Sequence, residues 1–350
     1  MAAGLLCRIR RPQEKKGDSE GDGGVRMAMR DIMDYKRVAL AINKAKKIAL
    51  CIHMFPDGDA IGSMLALALA LKALKKKFYL FSPSELPHRY NFLPLYGQIK
   101  TDIGPNINFD LAIAIDCASH TQLGEFHDKV FKKSEKTIEI DHHAFREAFA
   151  DISLVDDDAA AVGEIIYHLC ELLGVKIGKA IAVPLLVSLI VETGSFRLPT
   201  VHAKTFLICS KLISCGVDYY KIVENSYWSR TRAEAMLLGL CFSRLKFLKG
   251  EKVAVTTITF KDLKRLGARQ EDVDPVADQI RTLKNVQVVL LFREMHGAKW
   301  RVSLRSKGSI NVGKIAEEFG GGGHPDVAGC YLPKREKEKS RLIGRVLSLV

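Results

Sequence analysis

The sequence IALCIHMFPDGDAIGS, at residues 48–63, is the stretch that decides the fold class. Its first six residues are almost all apolar, which is typical of a short strand buried in a parallel sheet. The polar loop that follows contains Asp57 and Asp59, and we expect it to open a helix that continues to about residue 74. A buried strand, a loop and a helix form the first part of a β-α-β unit, so this stretch predicts an α/β fold.

The alternation of strand and helix continues through the first 215 residues. The strands predicted there cover residues 48–53, 78–81, 111–116 and 137–140. Strands that alternate with helices form a parallel sheet with helices on both faces, so we expect a Rossmann-like N-terminal domain. The pattern restarts near residue 252, with strands predicted at 253–260, 286–292 and 299–305. This second part predicts a smaller α/β domain.

These patterns divide the chain into four segments. Residues 1–30 include the polar, glycine-rich stretch GDSEGDGG and are expected to be a disordered leader. Residues 31–215 form the predicted first domain, and residues 251–350 form the second. Residues 216–250 are expected to be a connecting segment with a helix.

The composition is that of a globular protein, with 47% hydrophobic and 27% charged residues. No apolar run reaches the ~18 to 20 residues of a membrane span, and the apolar start of the chain is too short for a secretory signal. We therefore expect a cytoplasmic protein with no membrane partner. The eight cysteines include no CxxC pair, which is typical of isolated thiols in a reducing compartment.

The net charge of +13 favours an anionic partner such as nucleic acid or a polyphosphate.

Histidine and aspartate residues end or follow three of the predicted strands. They are His53, Asp57, Asp59, Asp116, Asp141, His142 and His143. The carboxyl ends of parallel strands meet at one edge of a sheet, and carboxylates mixed with imidazoles suit Mn²⁺, Mg²⁺, Fe²⁺ or Co²⁺. Each fragment alone has an ordinary explanation as a turn or a helix cap. Together they predict a metal site, because burying so many carboxylates without cations would cost several kcal/mol.

Five stretches in succession resemble the motifs of a known family. HMFPDGDAIGS, AIDCAS and DHH, followed by SLRSKGSINV and GGGGHPDVAG, are similar to the motifs of DHH phosphoesterases with a DHH-associated C-terminal domain. Within that family the chain is most similar to the oligoribonuclease (nanoRNase) and 3′-phosphoadenosine 5′-phosphate phosphatase group, which is related to RecJ exonuclease. The resemblance covers about residues 31 to 346. It implies two domains that face each other across a cleft, with two Mn²⁺ ions in the first and the nucleotide on the second.

The resemblance also implies a set of metal ligands. His53 and Asp57 would hold one ion, Asp59 and His142 would hold the other, and Asp116 would bridge the two. Mn²⁺ is the expected metal, with Mg²⁺ or Co²⁺ as alternatives.

Further roles follow from the same motifs. Asp141 would orient His142, and His143 would contact the scissile phosphate, so the expected catalytic residues are Asp116, Asp141 and His143. The family usually has Asp-Thr-Gly-x-Phe as its fourth motif, with the Asp as a metal ligand, whereas this chain has Glu192 in VETGSF. We expect Glu192 to remain a ligand, because Asp and Glu both offer carboxylate oxygens.

In the C-terminal part, the sequences SLRSKGSINV and GGGGH predict a phosphate-binding surface. Arginine offers a planar pair of donors to phosphate, although Arg305 alone would more often be a solvated strand end. Consecutive glycines let backbone N–H groups approach an anion, although a glycine run alone would more often be a flexible turn. The expected substrate-binding residues are Arg305, Ser306, Gly321, Gly322, Gly323 and His324.

The predicted function is metal-dependent hydrolysis of phosphate esters. The expected substrates are short single-stranded RNA or DNA, trimmed to mononucleotides, and 3′-phosphoadenosine 5′-phosphate, converted to AMP by a hydroxide that two metal ions activate. One alternative is a phosphodiesterase for linear or cyclic dinucleotides. Another is a nucleic-acid-binding relative that has lost catalysis, and the retention of the His and Asp residues argues against it. A homodimer remains an open alternative to a monomer.

Overall fold

The computed structural model describes residues 29–103, 108–144, 146–323 and 325–350. Apart from its last two residues, the segment predicted to be a disordered leader lies outside these ranges. His324 also lies outside them.

The first sheet has six strands, and every strand is parallel to its neighbours. They are β1 (Lys47–Ile52), β2 (Lys77–Phe81), β3 (Ile99–Lys100), β4 (Leu111–Ile115), β5 (Thr137–Asp141) and β6 (Ile152–Val155). Their spatial order is β3-β2-β1-β4-β5-β6, so the direction of winding reverses between β1 and β4. Ligands of open parallel sheets bind at such a reversal. The predicted parallel α/β sheet is confirmed, whereas the short edge strands β3 and β6 were not predicted.

Helices cover this sheet, and one of them is buried along nearly its whole length. They are α1 (Met29–Lys44), α2 (Gly58–Ala73), α3 (Phe126–Lys129), α4 (Val162–Leu172), α5 (Lys179–Glu192) and α6 (Ala203–Ser214). Helix α2 is apolar on all sides, which is why it lies inside the domain rather than on its surface. None of the helices in the described ranges is both long and apolar enough to span a bilayer.

The second sheet also has six strands, in the order β11-β12-β10-β9-β8-β7. They are β7 (Lys246–Leu248), β8 (Val253–Ile258), β9 (Val288–Met295), β10 (Lys299–Ser306), β11 (Gly322–Gly323) and β12 (Val327–Pro333). Only the β8–β9 pair is parallel. The remaining helices are α7 (Tyr219–Tyr227), α8 (Arg232–Ser243), α9 (Phe260–Leu266), α10 (Asp274–Arg281), α11 (Val312–Glu317) and α12 (Glu336–Leu347). The segment predicted as a connection therefore holds α7, α8 and β7, and β7 is part of the second sheet.

Two glycines allow helices α2, α4 and α5 to approach each other closely. A Cβ atom on Gly62 of α2 would lie 2.4 Å from the backbone oxygen of Pro184 in α5. A Cβ atom on Gly163 of α4 would lie 2.1 Å from Oγ of Ser188, also in α5. Neither distance is compatible with a side chain, so these contacts set the positions of three helices that line the candidate site.

We expect Gly62→Ala to lower the free energy of unfolding by about 1–3 kcal/mol, because the added methyl group would force α2 away from α5. Urea unfolding followed by circular dichroism measures the change. The matched control is Gly239→Ala in α8, where nothing lies within 4 Å of the added Cβ. That control should be neutral or stabilising by up to about 1 kcal/mol. Equal effects at both positions would contradict the close helix contact.

Candidate metal centre

Three adjacent strands bring the candidate ligands to one edge of the first sheet. His53 follows β1, Asp116 follows β4, and Asp141 is the last residue of β5. In the sheet register Ile52 lies opposite Ile115, so His53 and Asp116 form the next pair. Because neighbouring strands are about 4.8 Å apart, side chains from distant parts of the sequence meet here.

The N-terminus of α2 also lies at this edge. Asp57 is its N-cap residue, and Oδ1 of Asp57 accepts hydrogen bonds from the backbone N–H groups of Asp59 and Ala60 at 2.9 and 3.1 Å. The partial positive charge of a helix N-terminus attracts anions. An anionic substrate is therefore favoured at the same place as the candidate ligands.

Asp116 lies between two groups of candidate ligands. Its Oδ2 atom is 3.7 Å from Nε2 of His53, and its Oδ1 atom is 3.9 Å from Nε2 of His142. These distances are too long for hydrogen bonds, but two ligand atoms that each lie about 2.1 Å from one ion are roughly 3–4 Å apart. Oδ1 is buried and has no hydrogen-bond partner among the described residues. One oxygen faces each group, which is the arrangement of a bridging carboxylate.

The two groups share Asp116 and little else. In the first, one ligand atom each from His53, Asp57 and Asp116 lie within 4.8 Å of one another. In the second group, one ligand atom each from Asp116, His142 and His143 also lie within 4.8 Å of one another. The structure thus brings together five of the residues that the sequence singled out.

His142 faces three carboxylates through a single ring nitrogen. Its Nε2 atom lies 3.9 Å from Oδ2 of Asp59, 3.9 Å from Oδ1 of Asp116 and 3.8 Å from Oε1 of Glu192. Its other ring nitrogen, Nδ1, lies 3.1 Å from the backbone oxygen of Ala159. A hydrogen bond at Nδ1 leaves Nε2 as the nitrogen that would coordinate a metal ion. The Glu192 carboxylate therefore reaches the site in spite of its longer side chain.

Asp59 is held in place by contacts that the sequence analysis missed. Its Oδ1 atom accepts hydrogen bonds from Oγ of Ser63 at 2.9 Å and from Oγ of Ser188 at 2.6 Å. Its Oδ2 atom accepts one from the backbone N–H of Val162 at 2.9 Å. Ser188 and Val162 lie more than 100 residues away along the chain, and no local pattern marks them. Asp59 is fully buried, so these donors fix its orientation.

The pKa values show an excess of negative charge. Burial and the nearby Asp116 raise the pKa of Asp59 to about 6. Burial, Asp57 and Asp59 raise the pKa of Glu192 well above its usual range. Burial alone would lower the pKa of His53, but the carboxylates of Asp116 and Asp57 outweigh it and raise the pKa to about 9. Divalent cations would neutralise this charge, so the donor set and its unpaired oxygen fit metal ions.

One expected contact is wrong. Asp141 does not orient His142; its Oδ1 atom lies 2.6 Å from Nδ1 of His143. The physical reason is that successive side chains at a strand end point to opposite sides, so residues 141 and 143 share one side. His142 is oriented by a backbone oxygen instead.

The expected phosphate-binding arginine is already paired. Nε and Nη2 of Arg305 donate to the two carboxylate oxygens of Asp278 at 2.9 and 3.3 Å, and Nη1 donates to the backbone oxygen of Leu304. Oγ of Ser306 donates to the backbone oxygen of Ile310 at 2.7 Å and also lies 3.2 Å from that of Pro325. Ser306 therefore holds its own loop against the segment that follows the glycine run.

The glycine run has a structural role that the motifs did not predict. A Cβ atom on Gly321 would lie 2.1 Å from the backbone oxygen of Gly329, and one on Gly323 would lie 2.4 Å from that of Val327. A Cβ atom on Gly322 would have no atom within 4 Å other than those of its chain neighbours. Two of the three glycines are thus required for the close pairing of β11 with β12. His324, the remaining expected substrate residue, lies outside the described residues.

The two halves of the chain meet close to the candidate metal centre. The guanidinium of Arg301 in β10 lies 4.6 Å from the ring centroid of Phe55, which is in the loop between His53 and Asp57. The charge of Asp326, next to the glycine run, contributes to the raised pKa of Glu192. The surface that carries Arg305 and the glycines therefore lies near the candidate ligands.

Comparison with known proteins identifies the family. Residues 47–189 match the N-terminal domain of the DHH family, and residues 250–348 match the DHHA1 domain. The bifunctional oligoribonuclease and PAP phosphatase NrnA of Thermus thermophilus is 30% identical over 286 residues, which make up 81% of this chain and 84% of that protein. The chain belongs to the DHH family of phosphoesterases. It is a hydrolase that acts on phosphate esters.

Two further proteins are similar to this chain over most of its length. The cyclic-di-AMP phosphodiesterase GdpP of Bacillus subtilis is 23% identical over 317 residues, which cover 83% of this chain and 46% of that protein. An exopolyphosphatase-related protein from Bacteroides fragilis has the same fold, with a TM-score of 0.83 and 23% sequence identity. That alignment covers 91% of this chain and 96% of the other.

We expect Mn²⁺ to raise the thermal unfolding midpoint of the metal-free protein, because an ion that binds only the folded state stabilises it. At 100 times the dissociation constant the gain is about 2.7 kcal/mol. Asp116→Asn should lose most of this gain, since both ligand groups share Asp116. Asn tolerates the left-handed backbone at this position, where φ is 59°.

The control is Asp128→Asn, at a side chain that is 74% exposed in the same half of the chain. Differential scanning fluorimetry with and without Mn²⁺ should show the full shift in this control. A full shift in Asp116→Asn would contradict the shared-ligand geometry.

Proposed function

We propose that this protein is a divalent-metal-dependent phosphoesterase that cleaves very short oligonucleotides to mononucleotides and converts 3′-phosphoadenosine 5′-phosphate (PAP) to AMP. The observation that carries the proposal is the position of Asp116, whose two oxygens face two groups of candidate ligands. The substrate class is supported by the similarity to a protein named for both activities. The net charge of +13 suits polyanionic substrates.

The proposed metal ligands surround Asp116, which would be shared by both ions. They are His53 and Asp57 for one ion, and Asp59, His142 and Glu192 for the other. The ions, Mn²⁺ with Mg²⁺ or Co²⁺ as alternatives, would supply Lewis-acid chemistry that lowers the pKa of water and neutralises charge on the phosphate. We assign the metals to residues 31–215 and the nucleotide to residues 251–350, joined by residues 216–250.

His143 is the proposed proton donor to the leaving-group oxygen. Its Nδ1 atom is held by Asp141 at 2.6 Å, so the proton moves through Nε2. Burial lowers the pKa of His143, but the hydrogen bond with Asp141 and the charges of Asp141 and Asp116 outweigh this and raise it. Asp141 therefore orients the ring and favours its protonated form.

We expect His143→Asn to slow cleavage of a diribonucleotide by roughly 10²- to 10⁴-fold in kcat. The loss should be much smaller with thymidine 5′-monophosphate p-nitrophenyl ester, because p-nitrophenolate leaves without needing a proton. Steady-state kinetics with the two substrates measure the difference. Equal losses would show that His143 does not protonate the leaving group.

A phosphodiesterase for linear or cyclic dinucleotides is the second candidate function. The similarity to cyclic-di-AMP phosphodiesterase GdpP favours it, although this chain aligns with only 46% of that protein. The same metal centre would serve these reactions, because each is an attack of water on the phosphorus of a phosphate ester.

The test is a set of competing substrates offered to the Mn²⁺-loaded protein. It contains labelled RNAs of about 2 to 24 nucleotides, PAP, and cyclic and linear di-AMP, and the products are separated by size. We expect the shortest RNAs to be cleaved fastest and PAP to yield AMP and phosphate, with Asp116→Asn inactive on all. Cleavage of cyclic di-AMP alone would replace the proposal by its alternative. A metal-loaded wild-type protein that hydrolyses none of them would overturn both.

A further inference from the structure

We propose that Phe55, Arg301 and Tyr331 form a second nucleoside-binding subsite beside the metal centre. An oligonucleotide would fill it with the nucleotide next to the scissile phosphate, whereas PAP, which has a single nucleoside, would leave it empty. The inference rests on the proposed function and identifies what selects a diester substrate. None of the three residues belongs to the set expected from the motifs.

Phe55 presents an aromatic face at the metal centre. It is two residues from His53 and two from Asp57, so its Cα lies within about 7.6 Å of both. Its φ of 58° is unusual for a bulky residue, and its backbone N–H donates to Oγ of Ser84 at 2.6 Å. Phe55 is nevertheless 47% exposed. A strained backbone that holds an exposed aromatic ring beside a reactive centre is typical of a ligand contact.

Arg301 places a positive charge over this ring. Its guanidinium lies 4.6 Å from the ring centroid of Phe55. Side chains alternate along β10, where Trp300 and Val302 are buried, so Arg301 shares the opposite face with Arg305. Arg305 is paired with Asp278, whereas Arg301 has no carboxylate partner within the described ranges. Its charge is available to a phosphate group of the substrate.

Tyr331 extends the same face by one strand. It lies directly opposite Arg301 in the antiparallel pairing of β10 with β12, so the two side chains are on the same side of the sheet. Tyr331 is 49% exposed, while its neighbours Cys330 and Leu332 are buried. An exposed aromatic ring beside an unpaired guanidinium is the combination that binds one nucleotide, by stacking on the base and by attraction to the phosphate.

The position of the three residues determines which nucleotide they would hold. The proposed catalytic groups act on one phosphate, and the subsite begins within two residues of the ligands His53 and Asp57. A nucleotide on Tyr331 would therefore be joined directly to the reacting phosphate. Loss of this contact should weaken the binding of diester substrates far more than the binding of PAP.

The experiment compares a diribonucleotide with PAP as substrates of Arg301→Ala and Tyr331→Ala. The ratio of kcat/KM for the diribonucleotide to that for PAP should fall by about 10-fold or more in each variant, mainly through KM of the diribonucleotide. Tyr331→Phe should keep the wild-type ratio, because the ring face is retained. An unchanged ratio in both alanine variants, or equal loss on both substrates, would overturn the subsite.

The matched control is Arg341→Ala. Arg341 also lies over a phenylalanine, with its guanidinium 5.0 Å from the ring centroid of Phe319, but Phe319 packs against the cluster that contains Trp300 and Val302, on the opposite face of the sheet. This variant should leave the ratio unchanged.

Direct binding separates the subsite from the proposed function. Fluorescence anisotropy with a labelled 2′-O-methyl phosphorothioate dinucleotide should show at least 10-fold weaker binding to Arg301→Ala and Tyr331→Ala than to the wild type. Such a loss in a protein that hydrolyses neither substrate would support the subsite and overturn the proposed function. Equal binding by wild type and variants would overturn the subsite alone.

Discussion

Negative charge buried at one edge of a parallel sheet is the constraint on which the rest of this structure depends. Strands β1, β4 and β5 end side by side, and the residues that end or follow them meet the carboxylates of Asp57, Asp59 and Glu192. Burial, together with the like charges nearby, raises the pKa values of Asp59 and Glu192. The fold must hold these groups together against their repulsion until cations neutralise them.

Two features of the first half of the chain meet this requirement. The hydrogen bonds from Ser63, Ser188 and the N–H of Val162 tie Asp59 to α2, α5 and α4 at once. The glycine contacts keep the same three helices at a fixed spacing. The protein itself therefore holds the carboxylates of Asp59 on α2 and Glu192 at the end of α5 near one another, and the proposed binding of an ion would need little reorganisation.

Much of this arrangement could be predicted from the sequence, because it follows from local rules. Apolar runs ending in His or Asp predicted the parallel strands, and the rule that strand ends meet at one edge brought His53, Asp116 and His142 together. Contacts between distant segments carry no local signal, so the donors to Asp59 from Val162 and Ser188 could not be predicted. The role of Asp141 was mistaken because the alternation of side chains at the strand end decides which histidine it touches. Strand β12 was missed because the glycine-rich sequence before it and Gly329 within it read as a loop, although Gly321 and Gly323 are required for close pairing with β12.

Arg305 and Asp278 form an ion pair on the surface expected to receive phosphate, and this pairing makes anion binding an exchange reaction. An incoming anion can accept hydrogen bonds from the Arg305 guanidinium only if it displaces the carboxylate of Asp278, which already accepts them. A terminal phosphate carries nearly two negative charges near neutral pH and can compete with a carboxylate, whereas an internal diester carries only one. Such an exchange would favour the ends of a strand over its interior, and short chains have the highest proportion of ends. Competition between the substrate phosphate and the Asp278 carboxylate would then favour small substrates, even if no part of the protein sterically excludes longer ones.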